Sequence, residues 1–215
     1  MSKPAILGGI PENSKIFPPY NTIGKEEKDA VMAVLDSGEL SGFVANDVPQ
    51  FYGGQQVQAL EKEFCNHFKV KYAVSVNSAT SGIYCMLMAM GVGPGDEVIT
   101  SPYTMHATAS SILQCGAVPI FADIEEDTFG LDPDSVQKNI TENTKGILAV
   151  NIFGHAAMLN ELKKVADNNH LWLLEDNAQT PAGLAEGGVY TATIGKAGVF
   201  SFNRHKTMQS GEGGV

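Results

Sequence analysis

Positive charge is scarce in this sequence: 14 lysines and arginines stand against 24 acidic residues, for a formal net charge of -10. Without a basic cluster, the chain has no electrostatic footprint for nucleic acid or an anionic membrane. An anionic ligand would need a local site. Cysteine is also rare, and Cys65, Cys85 and Cys115 are odd in number and far apart. That pattern fits neither a disulfide framework nor a zinc site, so no metal is expected and the three read as small buried apolar residues. No uninterrupted apolar run is long enough to cross a bilayer, and the start Met1-Ser-Lys-Pro4 has no signal-peptide pattern. A cytoplasmic protein is expected. Gly-x-Gly-x-x-Gly and Gly-Lys-Thr are missing as well, which disfavours a dinucleotide or nucleoside-triphosphate loop.

What the chain does have is an alternation of short apolar runs and helical stripes. Residues 1–22 are rich in Pro, Gly and Asn and read as an extended arm. Ala30, Val31, Val34 and Leu35 then form a stripe behind Glu26 and Glu27, and Gly38 ends that helix. Residues 38–54 predict an ordered loop, and Gln55 to Phe68 a second helix with Val57, Leu60, Phe64 and Phe68 on one face. From Tyr72 the pattern changes. Strands are expected at Tyr72–Val76, Glu97–Thr100, Val118–Ala122, Gly146–Val150, Leu171–Leu174 and Ala197–Phe202, with helices between most of them. Asp132-Pro133 opens one of these helices with an N-cap and a first-turn proline. The expected fold class is α/β, a mainly parallel sheet with helices on both faces. The domain reading is an arm, helix and loop over residues 1–54 and a second, larger domain over 55–215.

Three strand ends carry polar groups that would meet at one edge of such a sheet. Val76-Asn-Ser-Ala-Thr-Ser-Gly82 places small residues between strand and helix; its N–H groups and hydroxyls suit a phosphate, although Ser and Thr there also serve as plain N-caps. Glu175-Asp176 follows the most apolar strand, where a carboxylate pairs either with a structural cation or with a ligand nitrogen. Ser201 and Lys206 follow the last strand, before a flexible Gly211-Glu-Gly-Gly214. A phosphate loop, an acid and a lysine together match pyridoxal phosphate (PLP), which needs a phosphate anchor, a carboxylate for its ring nitrogen and an amine for its aldehyde.

The ordered set Asn77-Ser-Ala-Thr80, Gly93-Pro-Gly-Asp-Glu-Val98, Glu175-Asp-Asn-Ala-Gln179 and Phe200-Ser-Phe-x3-Lys206-x4-Gly-Glu-Gly-Gly214 resembles the sugar aminotransferases of the DegT/DnrJ type. That resemblance implies the aspartate-aminotransferase fold (fold type I) and covers the chain from about Gly24 onward. It implies Lys206 as the Schiff-base lysine, Asp176 at the pyridine nitrogen and Gln179 near the ring hydroxyl. Ala79, Thr80 and Ser201 would hold the phosphate, and Met105 would lie against the ring where many relatives carry an aromatic residue. Lys206 and Asp176 are then the catalytic pair. The implied reaction is ping-pong transfer of an amino group from glutamate or glutamine to a nucleotide-linked keto-sugar, by a homodimer. The alternatives are a sugar dehydratase on the same scaffold, against which Lys206 argues because that branch carries histidine there, and a non-catalytic or regulatory PLP-binding protein. Asn203 stands where histidine commonly follows Ser-Phe, and Asn151, His155 and Met158 depart from the related pattern. His205 is expected to stand by without acting as a base. Relatives continue past Gly-Glu-Gly-Gly with an antiparallel strand, inserted between the strands at Ala73–Val76 and Val199–Phe202, and then a small C-terminal domain. The expectation is therefore a fragment of a longer protein, a large domain without its small one.

Overall fold

A computed structural model describes residues 3–13, 15–16, 18, 21–46 and 48–215. It divides into two compact units, residues 1–54 and 55–215.

In the first unit a single 3-10 turn, Ala5–Leu7, ends at Gly8, whose φ of 90° is left-handed. Six residues of the expected arm, Met1, Ser2, Ser14, Phe17, Pro19 and Tyr20, lie outside the described residues. Helix α1, Lys25–Ser37, starts where Glu27 accepts a hydrogen bond from the Gly24 N–H and stops at left-handed Gly38, as its sequence predicts. The expected loop over 38–54 contains one further 3-10 turn, Pro49–Tyr52.

The second unit opens with α2, Gln55–Phe68, followed by α3 (Ala79–Ala89), β1 (Glu97–Thr100), α4 (Ala107–Gln114) and β2 (Val118–Phe121). Then come α5 (Pro133–Lys138), β3 (Thr144–Val150), α6 (Leu159–Asn168), β4 (Trp172–Asp176) and β5 (Ala197–Val199). The five strands are all parallel, in the order β2-β1-β3-β4-β5. Parallel strands are buried on both faces, and the side-chain period of two divides them. Ile99, Ile147, Ala149 and Leu173 face α5 and α6, whereas Val98, Leu148, Leu174 and Val199 face α3 and α4. Helix α3 approaches β5 so closely that a Cβ on Gly82 would meet Val199 Cγ2 at 2.6 Å. A separate cluster seats Phe64 and Phe68 of α2 against Phe200 and Phe202.

The expected strand at Tyr72–Val76 does not form. Only Val76 pairs, through one antiparallel bridge to Gly214, and Tyr72 and Val74 remain exposed. The physical reason is the lack of a neighbouring backbone. A cavity of about 680 Å³ separates this segment from β5, with Val70, Ala73, Val76, Val199, Phe200 and Val215 among its walls. Gly214 and Val215 span its end: Gly214 exchanges hydrogen bonds with Val76, and Val215 with Phe200. The run Phe200–Phe202 likewise leaves the parallel ladder and pairs with residues 213–215.

The switch in chain direction lies between β1 and β3. The connection after β1 leads outward to β2, whereas that after β3 leads the other way to β4 and β5. In open α/β sheets, the crevice beyond the strand C-termini at this point receives ligands.

Candidate functional site

A cleft of about 140 Å³ opens at this edge of the sheet. Ala79, Thr80, Met105, Asp176, Gln179, Ser201 and Lys206, all singled out in the sequence, line it. His205 and Asn203 contribute to the wall as well.

Ala79 and Thr80 are the first residues of α3, after the N-cap Ser78, whose hydroxyl accepts from the Ser81 N–H at 3.2 Å. Ser78 therefore caps the helix through Ser81, and the N–H groups of Ala79 and Thr80 have no partner among the described residues. The cap reading holds through Ser78, and Ala79 and Thr80 line the cleft at the positive end of the helix.

Asp176 closes β4. Its Oδ2 accepts from the Thr108 hydroxyl at 2.8 Å and its Oδ1 from the Ala178 N–H at 3.2 Å. It is 5% exposed. Burial pushes its carboxyl above the usual range, and the two hydrogen bonds and the Lys206 charge oppose that push. No ion pair closes on Asp176 among the described residues, so the structural-cation alternative is not what fills its valence. Across the cleft, burial pulls the Lys206 ammonium below the ordinary lysine range, with attraction to Asp176 acting against it. Lys206 sits in a turn whose backbone is tied three ways: Lys206 N–H to Asn203 C=O, Arg204 N–H to Gly211 C=O and Ser210 N–H to Phe202 C=O. The Asn203 amide also donates to both Glu212 oxygens, at 2.8 and 2.9 Å. An antiparallel contact of Gly214 with Ser201 sets the base of the turn, where a Cβ on Gly214 would meet Ala79 N at 3.0 Å.

Gln179 accepts the Phe153 N–H on its Oε1 at 3.1 Å, and its amide NH2 has no partner among the described residues. The Met105 sulfur accepts the Ala107 N–H at 3.1 Å, which folds the side chain toward the start of α4. Met105 is nonetheless half-exposed along the cleft.

Thr108 was not selected from the sequence, and Glu175 was named there without a role of its own. Thr108 is fully buried and joins Asp176 to the Thr104 hydroxyl at 2.9 Å. Its i+4 spacing from Thr104 was the available signal. Glu175 is also fully buried, on the opposite face of β4 from Asp176. It accepts from Ala192, Ile194 and Gly195 N–H at 2.6, 2.9 and 2.8 Å and from the Asn151 amide at 3.2 Å. Burial raises its carboxyl above the usual range, against these donors. The same Asn151 amide donates to Asn177 and its carbonyl oxygen accepts from Ala157 N–H. Glu175 thus ties the loop after β3 to the one before β5, outside the cleft.

A parallel sheet bearing a helix N-terminus, a buried carboxylate and a partly desolvated lysine at one edge has the large-domain architecture of the fold-type-I aminotransferases. The chain belongs to the DegT/DnrJ/EryC1/StrS aminotransferase family, whose signature matches residues 21–215. It is 40% identical over 208 residues to the spore coat polysaccharide biosynthesis protein SpsC of Bacillus subtilis, covering 93% of this chain and 49% of that one. It is 37% identical to GDP-perosamine synthase of Vibrio cholerae, over 75% of this chain and 44% of that one. It is also 37% identical to L-glutamine:2-deoxy-scyllo-inosose aminotransferase of Streptomyces kanamyceticus, over 100% of this chain and 49% of that one. Among solved structures, an aminotransferase from Psychrobacter cryohalolentis matches at 34% identity and a TM-score of 0.84, over 93% of this chain and 48% of that one. NtdA of Bacillus subtilis, solved with bound cofactor PMP, matches at 30% identity and a TM-score of 0.74, over 89% and 42%. The chain spans about half the length of the curated relatives it matches.

Proposed function

We propose that this chain carries the cofactor half of a PLP-dependent transaminase, which moves an amino group from glutamate or glutamine to a keto-sugar, nucleotide-linked in form. The observation that carries this reading is Asp176, a buried carboxylate with no cationic partner within ion-pair reach among the described residues, facing a lysine whose charge is disfavoured. A ligand ring nitrogen that shares a proton with Asp176 would complete its valence.

The residues fit the cofactor's parts. The free N–H groups of Ala79 and Thr80 and the Ser201 hydroxyl would hold the phosphate. Asp176 would take the ring nitrogen, fixed in direction by Thr108. Gln179, its Oε1 already engaged by Phe153, would offer its NH2 to the ring hydroxyl, and Met105 would pack on the ring through its flank. When bound, PLP supplies an aldehyde and an electron-withdrawing ring that together carry the amino group between substrates. Asp176 holds a proton on the ring nitrogen. Lys206 Nζ would hold the cofactor through its aldehyde and would serve as the group that accepts and returns the proton of the donor Cα. Its lowered pKa keeps a larger share neutral, which both tasks require. The Asn203–Glu212 contact limits how far the lysine turn can swing.

Relatives named for GDP-perosamine synthesis and for an L-glutamine donor support the nucleotide-linked acceptor and the glutamine donor. A homodimer is the proposed assembly, supported by Ile6, Ile10 and Ile16, which are almost fully exposed in the single chain. No helix among the described residues is long and apolar enough to cross a membrane, which suits the cytoplasmic location we assign.

The test is to add PLP, reduce with borohydride and locate the added mass by peptide mass spectrometry. Mass on Lys206 is expected, and its loss in Lys206→Ala. Binding of PLP without mass at Lys206 would replace this reading with that of a non-catalytic PLP-binding protein.

A further inference from the structure

Beside the cleft, three aromatic side chains meet in the open. Tyr103, Phe129 and Phe153 are 46%, 44% and 58% exposed. Their centroids lie 6.1, 5.8 and 6.4 Å apart and their planes cross at 60°, 71° and 80°. They come from the segments that follow β1, β2 and β3 respectively, so the cluster stands over the switch point between β1 and β3.

Each ring is presented by a braced backbone. Phe129 and Phe153 have φ of 60° and 55°, left-handed values that are outliers for bulky residues. Phe129 sits in a turn closed by Glu125, which accepts from Asp127 N–H at 2.7 Å and Thr128 N–H at 2.8 Å and donates its own N–H to Gly130 at 3.0 Å. That turn rests on the loop after β3, since a Cβ on Gly130 would meet Ala157 Cβ at 2.7 Å. Phe153 is followed by left-handed Gly154, and Tyr103 N–H is held by the Ser101 hydroxyl at 3.0 Å. Two residues with left-handed backbones thus keep their rings half in solvent, in contact with Tyr103 and each other. Strain of this kind persists at ligand clamps, where a contact absent from the free protein repays it.

The cluster is continuous with the cleft. Phe153 donates its N–H to Gln179, and Tyr103 directly precedes Thr104 and Met105, all three being cleft residues. We infer that Tyr103, Phe129 and Phe153 form the platform on which the amino acceptor is stacked, the C–H face of its polyhydroxylated ring against the aromatic faces. This rests on the transaminase reading. Aromatic faces suit that occupant, because a sugar or cyclitol ring presents axial C–H groups on one side and keeps its hydroxyls free to bond elsewhere. The amino donor, small and charged, has no use for the platform, so the two half-reactions separate the roles.

The experiment follows each half-reaction by the cofactor's visible absorbance, on the full cofactor-loaded chain and its Tyr103→Ala, Phe153→Ala and Phe153→Leu variants. The first half uses L-glutamine and L-glutamate. The second uses two acceptors, 2-deoxy-scyllo-inosose and a nucleoside-diphosphate keto-sugar. The expected result is an unchanged donor half-reaction and an acceptor KM raised about tenfold or more in both Ala variants, with Phe153→Leu between them and the parent. A nucleotide-free acceptor that responds as strongly as the nucleotide-linked one places the sugar ring on the platform. A response confined to the nucleotide-linked acceptor places the base there and overturns the ring assignment. Equal acceptor kinetics in parent and variants overturns the platform and leaves the transaminase reading intact. A parent that turns over neither half overturns that reading and the platform with it. A fall in both half-reactions with a lower sedimentation coefficient assigns the aromatic surface to a second copy of the chain and overturns the proposal.

Discussion

Asp176→Asn should stabilise the cofactor-free protein while removing its response to PLP. The carboxylate is 5% exposed and has two hydrogen bonds and a distant lysine, where a buried charge needs a close counterion or several donors. Its pKa is raised by burial, so its stabilising contribution is complete below the ordinary carboxylate range and is lost as pH rises through the raised value. Lys206 acts in the opposite sense: its pKa is lowered, so its contribution is present at high pH and is lost as pH falls through the lowered value. Above that raised value the Asp176 cost stands in full. Asparagine has nearly the same shape, keeps an acceptor for Thr108 and needs no ionisation. Its stabilisation should be about 1–3 kcal/mol, the lower part of the range for replacing buried charges by neutral groups. For a chain of this size that is a rise of about 2–12 °C in Tm. The assay is thermal unfolding from pH 5 to 8, with and without PLP. The parent and variant curves should converge at the acid end and separate toward pH 8, with the variant higher; added PLP should raise Tm in the parent alone. A variant less stable than the parent by the same amount at every pH would refute the reasoning, because Asp176 would then act through packing or hydrogen bonding and not through its charge.

Three other outcomes follow from named contacts. The pH at which PLP adds half-maximally to Lys206 should lie below the ordinary lysine range, since burial lowers its pKa and the neutral amine reacts, as read by absorbance titration. Glu175→Ala should cost about 3–5 kcal/mol in urea unfolding, because three buried N–H donors before β5 and the Asn151 amide lose their acceptor. Gly82→Ala should cost about 1–3 kcal/mol in the same assay, because the new methyl would lie 2.6 Å from Val199 and force α3 off β5.

Local rules carried the reading far where the chemistry is local. The period of most apolar runs placed four of the five strands and most helix ends within a residue or two, as at α1, α2 and α5. An N-cap at Asp132 and a glycine stop at Gly38 need no knowledge of distant residues. The strand expected at Tyr72–Val76 failed for the converse reason. Its apolar alternation is real, but a strand exists only if another backbone lies beside it, and only Gly214 does. Thr108 escaped notice because a threonine on an apolar helix bonds its own backbone as readily as a carboxylate 68 positions away.

The sequence by itself determined that Lys206, Asp176 and the small residues at Ala79–Thr80 stand at strand and helix ends, since hydrophobic period and turn residues act over a few positions. Local rules do not separate the two adjacent carboxylates; the resemblance names Asp176, and the tertiary structure supplies the reason. The pleat turns Asp176 toward α4 and Thr108 and sends Glu175 to the other face, into a nest of backbone N–H groups. It also brought together Tyr103, Phe129 and Phe153, from three separate loops. Pairing across the sheet depends on chain topology, and the order β2-β1-β3-β4-β5 is fixed by how all the apolar faces are buried at once.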